Sequence, residues 1–354
     1  MQRVAGLDLL RAFAIVWVMF FHAWLLELGT PWLNGSRFGW MGVDLFFALS
    51  GYLIGKQWLT ALRDEKASLT GFYLRRAFRI FPAFLVIVAI YFVFPEQREQ
   101  PAIQPLWQFL TFTENLLFDA SSPKAFSHVW SLCVEEHFYV AFPLLALFLA
   151  RRSTRLTVAV CLGVFVFGLA YRAAAWFGAV EGAVREGRLF FEFIYYPTFG
   201  RLDGLLAGVV LAMVEVHRPG WWERAMRHSH WLLLAGLSLV ASSIWLFDGE
   251  RSASSSIAGY PILSLGMAFL VGAAANPNSP LQRARLPGVA ALATLSYSLY
   301  LSHKLAFAAV GDAGFLPLVV GALMASAALH FVVERPFLKA RERLASRLAH
   351  PARS

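Results

Sequence analysis

Residues 7–28 read LDLLRAFAIVWVMFFHAWLLEL, an apolar stretch long enough to cross a bilayer, and comparable stretches recur almost to the end of the chain. About 20 apolar residues are what one membrane-spanning helix needs, because nothing in the hydrocarbon satisfies an exposed backbone. Ten crossings can be read at 5–27, 39–57, 80–95, 137–150, 156–177, 201–216, 231–247, 258–275, 289–310 and 315–333. The expectation is an all-α integral membrane protein of about ten transmembrane helices. Composition agrees: 15% of residues are charged and 58% hydrophobic, whereas soluble domains carry roughly 25% charge. The first stretch is too long and too charged for a signal peptide and is expected to stay as a helix. Segment 105–118, PLWQFLTFTENLLF, is short and polar, and is expected to lie on the outer surface as an interfacial helix.

The net charge of +9 could suggest nucleic acid, but its distribution points elsewhere. With the N-terminus inside, about 21 of the 31 Lys and Arg fall on the inner connections, as the positive-inside rule expects. The basic charge is thus accounted for without nucleic acid, and both termini are expected to be cytoplasmic. Residues 1–338 read as one transmembrane unit and 339–354 as a basic amphipathic cytoplasmic tail. All function then lies in the membrane unit or its loops. The two cysteines, Cys133 and Cys161, build no disulfide framework or Cys-rich metal site. No metal site is expected: HExxH is absent, and His228 with His230 is a chance pair in a basic loop. GxSxG is absent too, and SGYLIGK, residues 50–56, has the wrong glycine spacing for a phosphate loop.

Ionisable side chains inside a span cost about 2.5–3.5 kcal/mol each and therefore face a cavity or a partner. Arg11 and His22 are eleven residues apart, which returns to within roughly 20° of the same helix face and separates them by about 16 Å along the axis. His22 reads either as an imidazole bonded to a neighbouring helix or as a reactive group. The second option has a specific layout, a cation near the cytoplasm for a phosphate-rich head and an imidazole one pantetheine length above it. Arg76 and Arg79 share one face beside Arg75 at the inner mouth, where guanidiniums suit phosphates or serve simply as positive flanks. Glu135 and Tyr139 are four apart and project together, so Glu135 could orient an imidazole or bind a sugar hydroxyl. Arg201 and Asp203 read as members of an internal ion-pair network. Tyr300 and His303, beside Lys304, can line one side of the ninth span.

Together these stretches resemble the membrane-bound acyltransferase family 3, the bacterial O-acyltransferases of cell-surface sugars. The resemblance runs in order through LDLLRAFAIVWVMFFH (7–22), GVDLFFALSGYLI (42–54), RRAFRIFPAF (75–84), WSLCVEEHFYVAFPLL (130–145), GRLDGLLAGV (200–209), SYSLYLSHKL (296–305) and VERPF (333–337). It implies a ten-helix enzyme of the bacterial inner membrane that moves an acyl group, usually acetyl, from cytoplasmic acyl-CoA to a hydroxyl on the far side. It places the family's first-span arginine and histidine on Arg11 and His22, its Arg-x-x-Arg on Arg76 and Arg79, and its E-x-x-F-Y on Glu135, Phe138 and Tyr139. His137 stands where the family commonly has glutamine. With no esterase-like domain expected after the last span, the chain would acylate the final acceptor itself or work with a separate partner protein.

The mechanism this implies uses acyl-CoA as co-substrate, with no permanently bound cofactor. Arg76, Arg79 and Arg11 hold its phosphates, and the thioester reaches His22. The imidazole acts as general base or carries the acyl group, and Glu135 orients it or the acceptor. Tyr139, Arg201, Asp203, Tyr300 and His303 are the supporting or acceptor-side residues. The partners are acyl-CoA, a glycan or other hydroxyl acceptor, and membrane lipid. Two alternatives stay open: an acceptor of macrolide-like type, and a transporter or flippase in which Arg11 and His22 form a proton or substrate path.

Overall fold

The computed structural model describes residues 4–28, 31–249, 251–284, 286–311 and 313–349. The expected inner charges Arg3 and Arg285, the outer Glu250 and the tail beyond residue 349 lie outside the described residues. In chain order the helices are α1 (Ala5–Leu25), α2 (Met41–Arg63), α3 (Leu69–Val93), the short α4 (Leu106–Leu110), α5 (Trp130–Leu149), α6 (Thr154–Ala175) and the short α7 (Glu186–Phe190). They continue as α8 (Asp203–His217), α9 (Pro219–Arg227), α10 (Ser229–Phe247), α11 (Tyr260–Ala275), the short α12 (Pro280–Arg283), α13 (Val289–Val310), α14 (Phe315–Ala328) and α15 (Arg335–Ala349). The described residues form no β-strand, only an isolated bridge between Ala102 and Lys124.

Eight helices among the described residues are long and apolar enough to cross a membrane. The sixth and ninth expected crossings correspond to α8 and α13, which stand in the same bundle without meeting that measure: α8 has 15 residues and α13 carries many polar ones. Several helices start earlier than the apolar pattern suggests. The Ser68 hydroxyl accepts from the Gly71 N–H and caps α3 at residue 69, a cap Ser153 repeats for α6 by accepting from Leu156. Arg75, Arg76 and Arg79 are therefore part of a helix that enters the bundle. Likewise α5 starts at Trp130, which puts Glu135 inside the helix, and α15 begins at Arg335, so the boundary expected near 338 falls within a helix.

Segment 105–118 corrects an expectation. It is no interfacial helix: α4 stops after five residues, Phe112 takes a left-handed φ of 54°, and Thr111 turns its hydroxyl back on the Trp107 carbonyl. Asn115 is instead held by distant partners, the Tyr196 carbonyl and the Thr198 hydroxyl, which draw the chain out of a helical path. The chain then dives inward, so that Glu114 and Asn115 are fully buried.

The core has two apolar layers, and α1 contributes to both. Leu7, Leu10 and Ala14 pack at the N-terminal end with Leu45, Trp58, Phe72 and Ile80. Ile15, Val18 and Met19 pack at the opposite end with Phe84, Tyr91, Phe126 and Trp130. The tightest helix contact is α2 against α8, where a Cβ on Gly51 would lie 2.2 Å from the Leu205 carbonyl oxygen and one on Gly208 2.3 Å from that of Ala48. Small residues let two backbones approach this closely in a membrane bundle.

Candidate active site

The helix α1 carries two polar groups at different depths, each meeting a different set of partners. Near its start, Arg11 is within electrostatic reach of Asp8, Tyr139, Glu135 and Arg76. Glu135 is held there by two hydrogen bonds, one from Ser50 at 3.0 Å and one from Tyr139 at 2.5 Å. The Arg76 guanidinium lies 5.7 Å from the centre of the Tyr139 ring. Arg11, Arg76, Glu135 and Tyr139 therefore form one cluster at the N-terminal end of the bundle. Arg79 is engaged differently: it pairs with the wholly buried Glu334, and its guanidinium lies 5.5 Å from the Tyr297 ring centre. Glu334 also accepts from Ser298 at 2.7 Å and meets Nδ1 of His330 at 2.8 Å, an arrangement that the π-helical turn Leu329–Glu334 creates by placing both residues inward. Arg79 is thus tied to a direct ion pair, whereas Arg11 and Arg76 share the more distant charge of Glu135.

Higher on α1, His22 is 7% exposed and its Nδ1 lies 2.9 Å from Nε2 of His303 on α13. The other nitrogen of His303, Nδ1, lies 3.0 Å from the Leu299 carbonyl oxygen. This chain assigns the tautomers of two neutral rings. A carbonyl only accepts, so His303 carries its proton on Nδ1 and presents a lone pair at Nε2. His22 must then donate from Nδ1, and its basic lone pair is on Nε2. Of the two roles expected for Glu135, orienting His22 or the acceptor, the first falls to His303, which bonds the imidazole, while Glu135 is bonded to Ser50 and Tyr139 in the cluster with Arg11.

Around this pair the bundle is polar. The Lys304 ammonium is 3.3 Å from the Ser127 hydroxyl and 3.7 Å from Glu99, which in turn accepts from Tyr91 at 2.9 Å and from the Phe126 N–H at 2.9 Å. Tyr300 donates to the His128 carbonyl at 2.7 Å and meets the Ser131 hydroxyl at 2.5 Å, so it positions the chain at the start of α5. Outside the spans, Glu114 has neither oxygen hydrogen-bonded, and burial pushes its carboxyl well above the ordinary range although Lys304 opposes this. Among the described residues no group of three or more His, Cys, Asp and Glu is placed to hold a metal ion.

Arg201 and Asp203 do belong to an internal ion-pair network, with partners elsewhere in the chain. Arg201 forks onto Asp44 at 2.9 and 3.0 Å inside a box of Trp130, Tyr195 and Tyr260, with ring centres 5.1, 4.7 and 4.1 Å away. Asp203 accepts from Arg172 at 2.5 Å. These pairs pin α8 to α2 and α6, and they do not meet His22. Asp44 and Arg172 were findable by the reasoning that found Arg11, being charges inside apolar stretches. Glu99, Glu114 and His128 were not, because nothing local in a polar outer segment shows that it folds inward.

The family model described as "Acyltransferase domain" matches residues 4–333. Among similar proteins, "O-acetyltransferase OatA" of Staphylococcus aureus (strain NCTC 8325 / PS 47) is 28% identical over 316 residues, covering 84% of this chain and 49% of that protein. "Putative peptidoglycan O-acetyltransferase YrhL" of Bacillus subtilis (strain 168) is 27% identical over 369 residues, covering 94% of this chain and 54% of that protein. The chain thus spans about half the length of these relatives. No solved structure matches.

Proposed function

The chain belongs to the acyltransferase domain family, and from that premise we propose that it is a multi-pass membrane O-acyltransferase, moving an acetyl group from cytoplasmic acetyl-CoA to a hydroxyl of a cell-envelope glycan, with peptidoglycan as the first acceptor to test. The observation that carries this reading is the placement on α1 of Arg11, clustered with Arg76 of α3, and, about 16 Å along the axis, an imidazole whose tautomer leaves Nε2 basic. Arg11 and Arg76 bind the CoA phosphates by charge-assisted hydrogen bonds. The pantetheine follows α1 towards His22. Ala14, Ile15, Val18 and Met19 occupy that lane and are packed at 0–4% exposure, so the arm enters by parting α1 from its neighbours. Nε2 of His22 takes the proton of the acceptor hydroxyl as it attacks the thioester, and His303 holds the ring in the required tautomer. Family membership favours this over a transporter without covalent chemistry, which would share the buried charges.

The test is transfer of labelled acetyl from acetyl-CoA to a glycan by the purified chain in lipid nanodiscs. His22→Ala is expected to lose at least 100-fold in kcat while inserting normally. Full transfer by a correctly inserted His22→Ala protein would overturn the assignment.

A further inference from the structure

A third imidazole stands at the same level and takes no part in the scheme above. His128 is 3% exposed, and its ring centre lies 5.8 Å from that of His22 and 5.0 Å from that of His303. Neither ring nitrogen makes a hydrogen bond of good geometry; its nearest polar neighbours are the main chain of Tyr300 and Leu301, which offer at most weak bonds. A buried imidazole with neither nitrogen well bonded is costly and calls for an explanation, because buried polar groups are otherwise almost always satisfied.

The backbone around it supplies a second, independent observation. Phe126, two positions before His128, sits at a left-handed φ of 58°, a conformation that a bulky side chain rarely adopts. The Phe126 N–H donates to Glu99, and the His128 carbonyl accepts from Tyr300, so this turn is over-determined by tertiary hydrogen bonds. Strain held in place in this way is characteristic of a position whose side chain must be aimed. What it aims is an N–H with no well-formed hydrogen bond in the protein, beside the histidine whose Nε2 is basic.

We infer that His128 is a further catalytic residue, whose ring N–H donates to the oxygen that becomes negative during transfer. The inference rests on the acyl-transfer reading of the same site. The two rings are packed 5.8 Å apart, so a reacting centre admitted when the helices part would come within hydrogen-bond reach of both. The acceptor hydroxyl oxygen attacks the thioester carbonyl carbon and its proton passes to Nε2 of His22. A carbon–oxygen bond forms, and the carbonyl electron pair moves onto oxygen, where the His128 N–H meets it. Collapse restores the carbonyl and breaks the carbon–sulfur bond, and His22 returns the proton to the departing CoA sulfur. Thioester and alcohol give ester and thiol, with His22 and His128 regenerated. A donor fixed in a dry site before charge develops is the arrangement that stabilises such an oxyanion most.

The experiment uses the full chain in nanodiscs, [14C]acetyl-CoA and a water-soluble chito-oligosaccharide with free 6-hydroxyls. His128→Phe fills the volume without the N–H, and His128→Asn restores a donor. His128→Phe is expected to lower kcat about 10²–10³-fold with KM for acetyl-CoA within twofold of the wild type, which is the effect of losing one oxyanion donor. His128→Asn is expected to regain at least tenfold over Phe. If His128→Phe does not insert, His128→Asn against His128→Ala decides on the same tenfold criterion. A Phe variant within threefold of wild-type kcat, or an Asn variant no better than the one lacking a donor, overturns the inference. Absence of transfer by the wild type would instead overturn the acyl-transfer reading beneath it.

Discussion

Replacing His303 by alanine removes the acceptor that His22 Nδ1 donates to across 2.9 Å. While His22 is neutral, that bond contributes about 1 kcal/mol, and when the ring becomes an imidazolium the same bond is charge-assisted and worth about 1.5–3 kcal/mol. The difference, about 0.5–2 kcal/mol, stabilises the proton-bearing state selectively, so its loss predicts a fall of roughly 2- to 30-fold in kcat. KM for acetyl-CoA should not move, because Arg11 and Arg76 are at the other end of α1. Alanine also leaves a cavity, since His303 is fully buried, and some drop in Tm is expected. His303→Gln separates the two effects: its amide oxygen can accept from Nδ1 in similar volume, so kcat should recover most of the loss. The assay is steady-state transfer of labelled acetyl in nanodiscs, with Tm recorded on the same preparations. Alanine at wild-type kcat, or glutamine no better than alanine, would refute both the tautomer argument and the positioning role of His303.

Other consequences follow from the same geometry. Arg76→Ala removes a guanidinium of the proposed phosphate site and should raise KM for acetyl-CoA roughly 10- to 100-fold, the worth of one charge-assisted hydrogen bond, with Tm little changed; equal KM values in a transfer titration would count against that site. Glu114→Gln tests the buried carboxyl. Because burial raises the folded-state value above the ordinary 4.5, the stability this group contributes is present in full below that pH and is lost as pH rises through the folded value. Wild-type Tm should therefore decline with rising pH more steeply than that of Glu114→Gln, and identical slopes between pH 5 and 9 would show that Glu114 is not held neutral.

The long helices were legible because a membrane span is a local property: an apolar run of sufficient length must satisfy its backbone internally, whatever its neighbours are. The relation between Arg11 and His22 was legible for the same reason, since 100° per residue along one helix requires no partner. The charges inside spans announced themselves by their cost, and the family resemblance could be carried by short ordered motifs. Which groups those charges meet was a different matter. Glu135 looked like the residue to orient His22, yet it went to Ser50 and Tyr139, while His303, 281 residues from His22 in sequence, took the imidazole. Arg79 read as a phosphate ligand like Arg76, but a π-helical turn 255 residues away delivered Glu334 to it. Segment 105–118 read as an outer-surface helix, but it turns Glu114 and Asn115 inward, Glu114 within electrostatic reach of Lys304, and the chain beyond it buries Phe126 in the turn that leads to His128. Periodicity assigns a side chain to a face and a depth on its own helix. Hydrogen bonds and ion pairs depend on ångström distances between helices, which only the packed bundle sets.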